Sequence, residues 1–228
     1  MVDIQTLPDA EALAAAAAAF MGDALSAACD ISPGKRVSWV VPGGRTPRAI
    51  LPLVLARDDI DWDRVDTVAS DERLVPVNDA ASTEGMLRGL FADAGRPCHY
   101  ISFGTDLAPN AALATWTAGL DTMAWPPAVA FLGVGDDSHT ASIFPDRIEA
   151  RDDSIFAAAV PETPPNVAPR LTLGLKAIKD CLQILMLANT PEKVAQLALS
   201  MAPDADPNEL PVAAVLRMPQ SVVMRLPE

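Results

Sequence analysis

Histidine and cysteine are scarce in this chain: two histidines and three cysteines among 228 residues. The cysteines (Cys29, Cys98, Cys181) are odd in number and widely spaced, with no CxxC pair, so neither a zinc module nor a disulfide framework is expected. Cys98 is followed by His99, but neighbours on a strand point to opposite faces and do not share a metal. Free thiols in a reducing cytoplasm are the expectation. Positive charge is also in short supply, 17 Lys and Arg against 30 Asp and Glu, for a net charge of −13. No basic stripe is visible, which argues against a non-specific nucleic-acid partner or an acidic membrane surface. An anionic small ligand is still compatible, provided its cations are gathered locally. No apolar run approaches the ~20 residues of a bilayer span. The opening MVDIQTLPDAEALAAAAAAF has an acidic start and mixes Asp9 and Glu11 with its alanines, unlike a signal peptide.

What the chain does have is hydrophobic residues, 50% of the total. That supplies a core for one large domain, and residues 1–228 are read as such. There is no internal repeat and no long linker. Ala10 to Ala28 reads as an alanine-rich helix with Phe20, Met21 and Leu25 on a core face. Strands are expected at Arg36–Val41, Val65–Ser70, Cys98–Phe103, in AVAFLG up to Gly133, at Leu182–Ala188 and in SVVMRL near the end. RLTLGLKAIKD begins as a strand and turns helical. Between them lie helices: one N-capped by Thr46 with Pro47 at its first position, STEGMLRGLF capped by Ser82, NAALATWTAGLDTM, and one capped by Thr190 with Pro191 first. Strands alternating with helices, several of the strands continuous apolar runs, predict an α/β fold. Its central sheet is mostly parallel and covered by helices on both faces. The pattern does not give the strand order.

Three unusual loops follow strands. PGGRTP follows the first, SDERLVP the second and GVGDDSHTASIFP the fourth. In an open parallel sheet the carboxyl edge is where ligands bind, so the three loops converge on one crevice. In the first, Gly43 and Gly44 allow backbone N–H groups to approach a ligand, and Thr46 starts a helix. The loop is either an anion cradle or an ordinary glycine-rich turn, and it matches neither nucleotide-binding fingerprint. In the second, Asp71, Glu72 and Arg73 form either a solvated local ion pair or a clamp in which Arg73 grips a phosphate or carboxylate. In the third, His139 is either a helix-start histidine satisfied by Asp137 or a general base oriented by it.

Taken together, VPGGRTP, SDERLVPVNDAASTEGMLR, GVGDDSHTASIFP and PRLTLGLKAI resemble the 6-phosphogluconolactonase family, in order and in spacing. EKVAQL also matches that family's lysine-bearing helix. The similarity runs from about Val37 to Leu199. It implies the fold shared with glucosamine-6-phosphate deaminase and ribose-5-phosphate isomerase. The implied reaction is hydrolysis of 6-phospho-D-glucono-1,5-lactone to 6-phospho-D-gluconate, in the pentose phosphate or Entner–Doudoroff route. By matching position, Gly43, Gly44, Arg73, Arg170 and Lys193 surround the phosphate, with Arg45, Thr46 and Asp71 beside them. Asp137 and His139 lie at the lactone. No cofactor or metal is implied, and the partner is a phosphorylated sugar lactone; a monomer or small homo-oligomer is expected. The chain departs from the family pattern at Arg45, where a small hydroxyl residue is common, at Ser138, where glycine is usual, and in ending on MRLPE. The deaminase's Asn-Glu-Pro is replaced by Ile143-Phe144-Pro145, so its glutamate is missing. A non-catalytic sugar-phosphate sensor is the other rival, and the chain has no room for the DNA-binding segment such domains adjoin. Water is expected to attack directly, with His139 as base; Ser142 has no GxSxG context and is read as a packing or capping residue.

Overall fold

The computed structural model describes residues 2–161 and 168–227. In chain order the elements are β1 (Asp3–Thr6), α1 (Ala10–Ile31), β2 (Val37–Val41), α2 (Arg45–Leu55), β3 (Val65–Ala69), β4 (Asp71–Arg73), α3 (Thr83–Asp93), β5 (His99–Tyr100), α4 (Pro109–Leu120) and β6 (Val129–Gly133). Then follow α5 (Ile148–Arg151), β7 (Ala157–Val160), β8 (Arg170–Leu173), α6 (Leu175–Asp180), β9 (Ile184–Ala188), α7 (Pro191–Ser200), α8 (Pro211–Leu216) and β10 (Ser221–Arg225). A seven-stranded sheet runs β1-β10-β9-β6-β2-β3-β5, and every pairing in it is parallel. This is the mostly parallel, helix-flanked sheet that the alternation of elements predicts.

The core follows from the strand composition. Every residue of β2, β3 and β9 is buried; β9 is a continuous apolar run, while β2 and β3 bury Ser38, Asp66 and Thr67, each hydrogen-bonded. Trp39 packs at 6.0 Å from Trp62, which meets Phe91 edge-on at 5.7 Å. The Trp39 indole N–H donates to Thr67 Oγ1 at 2.8 Å, so the one polar atom of a fully buried ring is satisfied. Truncating such a ring to alanine costs about 3–5 kcal/mol.

Helix α1 corrects one expectation. Over Ala10–Ile31 it is long and apolar enough to cross a membrane, although alanine supplies much of that hydropathy. In the fold its Leu13, Ala17, Met21, Leu25 and Cys29 form a buried stripe against β2, β6, β9, β10 and α2.

The order of strands fixes where ligands can bind. From β2 the chain moves to β3 on one side, while β6 and then β9 lie on the other. The direction of winding reverses between β2 and β6, and their carboxyl ends splay apart there to leave a crevice. The loop at Gly43 lies at the end of β2 and the histidine turn at the end of β6.

Other differences from the sequence reading bear on the site. Asp71–Arg73 is a short strand instead of a loop. With β7 and β8 it makes a separate three-stranded sheet in which β4 and β7 each pair antiparallel to β8. The strand predicted at Cys98–Phe103 is reduced to His99–Tyr100. Helix α2 starts two residues earlier than expected: Gly44 is its N-cap at φ 107°, so Thr46 and Pro47 sit inside the first turn. Proline is tolerated there because first-turn N–H groups have no intrahelical acceptor. The caps at Ser82 and Thr190 are as expected, accepting from Gly85 N at 3.0 Å and Lys193 N at 3.4 Å.

Candidate active site

The Gly43–Thr46 loop is shaped by what stands next to it. A Cβ on Gly43 would come within 2.4 Å of Thr83 Oγ1, so the close approach of α3 demands glycine there. Gly44 needs it for its left-handed backbone, φ 107°. Arg45 follows, exposed, in the first turn of α2. Across the crevice Asn189, just past β9, donates through Nδ2 to Thr46 Oγ1 at 3.0 Å and ties α2 to the start of α7. Lys193 stands in the first turn of α7, half-buried.

The small antiparallel sheet supplies two more cations. Arg73 and Arg170 are register partners on β4 and β8. Directly opposed side chains lie with Cβ atoms about 5 Å apart, a destabilising arrangement for like charges. Arg73 Nη1 donates to the Ala81 carbonyl at 3.0 Å. Arg170 Nη1 lies 3.6 Å from Asp71 Oδ2 and 3.3 Å from Ser142 Oγ. Burial pulls the Arg170 guanidinium below its ordinary pKa, Asp71 pulls it back up, and Arg73 adds to the depression. The pair is a place where a bound anion relieves repulsion between cations.

The turn after β6 carries the imidazole. His139 Nδ1 lies 2.5 Å from Asp137 Oδ1, and the same oxygen accepts from the His139 backbone N–H at 3.1 Å. The hydrogen bond to His139 holds the Asp137 carboxyl down at a pKa of about 2. An ionised Asp137 accepts from Nδ1–H, which leaves Nε2 as the basic nitrogen of the neutral ring. The ring packs on Gly135, where a Cβ would fall 2.1 Å from Nδ1, and against Phe144 at 4.8 Å between centroids. Phe144 also lies under the Arg170 guanidinium at 5.5 Å, so one aromatic wall touches both the base and a cation.

These pieces face one cavity of about 490 Å³, lined by Gly43, Gly44, Arg45, Asp71, Arg73, His139, Arg170 and Lys193. A second hollow of about 480 Å³ adjoins it behind the glycine loop and takes in Thr46 and Asn189. The structure therefore brings together residues on or beside the ends of five strands, β2, β4, β6, β8 and β9. Asp137 does not line the cavity and reaches it through His139. Asp71 does line it, yet both its oxygens are engaged: Ser70 Oγ donates to Oδ1 at 3.0 Å and Ser142 Oγ to Oδ2 at 2.5 Å. Ser142 is fully buried. Among the described residues no three His, Cys, Asp or Glu side chains gather in a way that could hold a metal ion.

Glu72, beside Arg73, is spent on structure. Its buried carboxylate accepts the backbone N–H groups of Thr83 and Glu84 at 2.8 and 2.7 Å, satisfying the start of α3, and that of Arg73 at 2.8 Å. Burial pushes its pKa up and these donors pull it back. The sequence reading missed Asn189, Thr83 and Phe144 as neighbours of the site. Phe144 lies within the quoted histidine stretch, but nothing local marks Asn189 or Thr83.

Residues 8–224 match the family model described as glucosamine-6-phosphate isomerases/6-phosphogluconolactonase. The chain belongs to this family. Among members, a 6-phosphogluconolactonase of Caulobacter vibrioides is 31% identical, over 97% of this chain and 95% of its own. One of Pseudomonas putida is 33% identical, over 97% and 92%. The crystal structure of a 6-phosphogluconolactonase from Shewanella baltica superposes with a TM-score of 0.88 at 26% identity, covering 100% of this chain and 98% of that one.

Proposed function

We propose that this chain hydrolyses 6-phospho-D-glucono-1,5-lactone to 6-phospho-D-gluconate, a step of the pentose phosphate and Entner–Doudoroff routes, as its relatives' names imply. The observation that carries the reading is the meeting of His139, already hydrogen-bonded to Asp137, with three cations, Arg73, Arg170 and Lys193, around one cavity. A phosphorylated lactone needs both: an anion site at one end and a base for water at the other.

A lactone is an activated ester, so positioning and one proton acceptor suffice. The phosphate is held by Arg73, Arg170, Lys193 and the N–H groups at the start of α2, with Arg45 at the rim. Water attacks C1 while His139 Nε2 takes its proton. The tetrahedral intermediate then collapses, the bond from C1 to the ring oxygen breaks, and the imidazolium returns the proton to that oxygen. Asp137 holds the ring's tautomer and stabilises the imidazolium. Asp71 acts as counter-charge to Arg170 and not as a phosphate ligand, because a carboxylate repels phosphate. Ser142 is no nucleophile in this scheme, since its hydroxyl donates to Asp71.

The isomerase and deaminase members share the fold. Here Phe144 fills the place of the deaminase's glutamate and packs on the histidine ring, so the carboxyl that the deaminase carries at that position is missing. The test is direct. Purified protein should hydrolyse freshly prepared 6-phosphogluconolactone well above the buffer rate and release no ammonia from glucosamine 6-phosphate. Lactone turnover equal to the buffer blank refutes the assignment.

A further inference from the structure

The turn that presents His139 is held in an unfavourable backbone shape. Ser138 has φ 67° and is completely buried; Ala141 and Asp146 follow at φ 50° and 60°. Residues with a Cβ adopt this left-handed region at a cost, and it persists only where the surroundings enforce it. The surroundings are specific here. Ser138 Oγ lies 2.8 Å from Ser200 Oγ, and the Ser138 carbonyl accepts the Val212 N–H at 3.1 Å from the first turn of α8. The direction of the hydroxyl bond can be deduced. Ser200 has one hydroxyl proton, and it goes to the Gln196 carbonyl at 2.9 Å. Ser138 is therefore the donor, and two hydroxyls run in series from the histidine turn into α7.

Helix α7 also carries Lys193. Residues 193 and 200 are seven apart, so they lie on the same helical face, separated by about 10 Å along the axis. Leu197 between them is fully buried. One rigid helix thus touches the cavity with a cation from its first turn and grips the histidine turn with a hydroxyl at its last residue.

We propose that Ser138 is a positioning residue: its buried hydroxyl bond to Ser200 fixes the Asp137–His139 turn at a set distance from Lys193, with α7 as the spacer. This rests on the lactonase reading given above. Ser138 touches no substrate and acts through His139.

The experiment compares the parent with Ser138→Ala, Ser200→Ala, the double variant and Ser138→Gly. It measures kcat, KM, melting temperature and the Asp137 carboxyl titration by NMR. Each single alanine variant should lose about tenfold in kcat, as expected for one lost hydrogen bond, with KM within about twofold. The double variant should be no slower than either single. The Asp137 midpoint should rise from about 2 as the bond to His139 loosens. Ser138→Gly is the decisive control, because glycine relieves the left-handed strain while removing the hydroxyl. It should melt no lower than Ser138→Ala and still be slow. Parental kcat in both Ser138→Gly and Ser200→Ala, with the Asp137 midpoint unmoved, overturns the proposal and makes the serine pair mere packing. If the parent hydrolysed no lactone, the functional assignment would fall, while the Asp137 titration in the same variants would still decide whether the serine pair holds the turn.

Discussion

At one end of the crevice, Lys193 and Arg45 have no ion-pair partner among the described residues, and Arg73 and Arg170 face one another across two strands. At the other end, the imidazole is bonded through Nδ1, seated on Gly135, backed by Phe144 and carried on a turn tied to two helices. On the proposed reading, the cationic end is left electrostatically incomplete and an arriving phosphate supplies the missing charge. The imidazole end is already built, as the proposed reading requires of a base that must carry the right tautomer and aim when water attacks. Four cations, Arg45, Arg73, Arg170 and Lys193, line the cavity, and the Asp71 carboxylate beside them is engaged by Ser70, Ser142 and Arg170.

The contrast can be broken end by end. The largest effect should come from the prearranged end. His139→Asn keeps hydrogen-bonding shape but cannot accept a proton, and kcat should fall about 10²- to 10⁴-fold while 6-phosphogluconate still binds. Retained turnover would show that the turn is structural. At the cationic end, Lys193→Ala or Arg73→Ala should raise KM about 10- to 100-fold, the worth of one charge-assisted contact, with kcat little changed. Equal slowing of the unphosphorylated lactone would instead move that residue to the carbonyl. Ser142→Ala removes a donor to Asp71 and should cost at most about fivefold, since the loss is one hydrogen bond in the support of Arg170. An inactive variant would reopen the question of a serine nucleophile.

The smallest effect is on stability. The Asp137 carboxyl is held at about 2, below its unfolded value near ~3.9. Its contribution is fully present above the unfolded value and is lost as pH falls through about 2. Between pH 5 and 2, thermal melts of the parent should therefore lose stability more steeply than those of Asp137→Asn. Parallel curves would mean that the His139 bond is not maintained in solution.

Much of this contrast was legible in the sequence, but not evenly. The buried strands were readable because both faces are covered, which makes β9 an unbroken apolar run and leaves apolar residues at both ends of β2 and β3. The glycine loop and the Asp137–His139 pair were readable because their residues are neighbours in sequence. What was hidden depends on long-range pairing. Asp71–Arg73 is polar and three residues long, and only its partner β8 makes it a strand. The opposition of Arg73 to Arg170 exists only once that register is known. β1 escaped notice because all four of its residues are exposed at the sheet's edge. Thr46 looked like a cap because its residue type suits one, whereas the conformational freedom of Gly44 moved the helix start back. The Ser138–Ser200 bond joins residues 62 apart and leaves no local trace.

The central claim, that one end of the crevice binds phosphate and the other performs the hydrolysis, is tested most directly by one set of rates: kcat and KM for phosphorylated and unphosphorylated gluconolactone in the parent, Lys193→Ala and His139→Asn. The account predicts that Lys193→Ala erases most of the preference for the phosphorylated lactone through KM, and that His139→Asn slows both lactones by the same factor through kcat. If His139→Asn kept the parental kcat, or if Lys193→Ala left the preference for phosphate intact, the two ends would not have the roles given to them here.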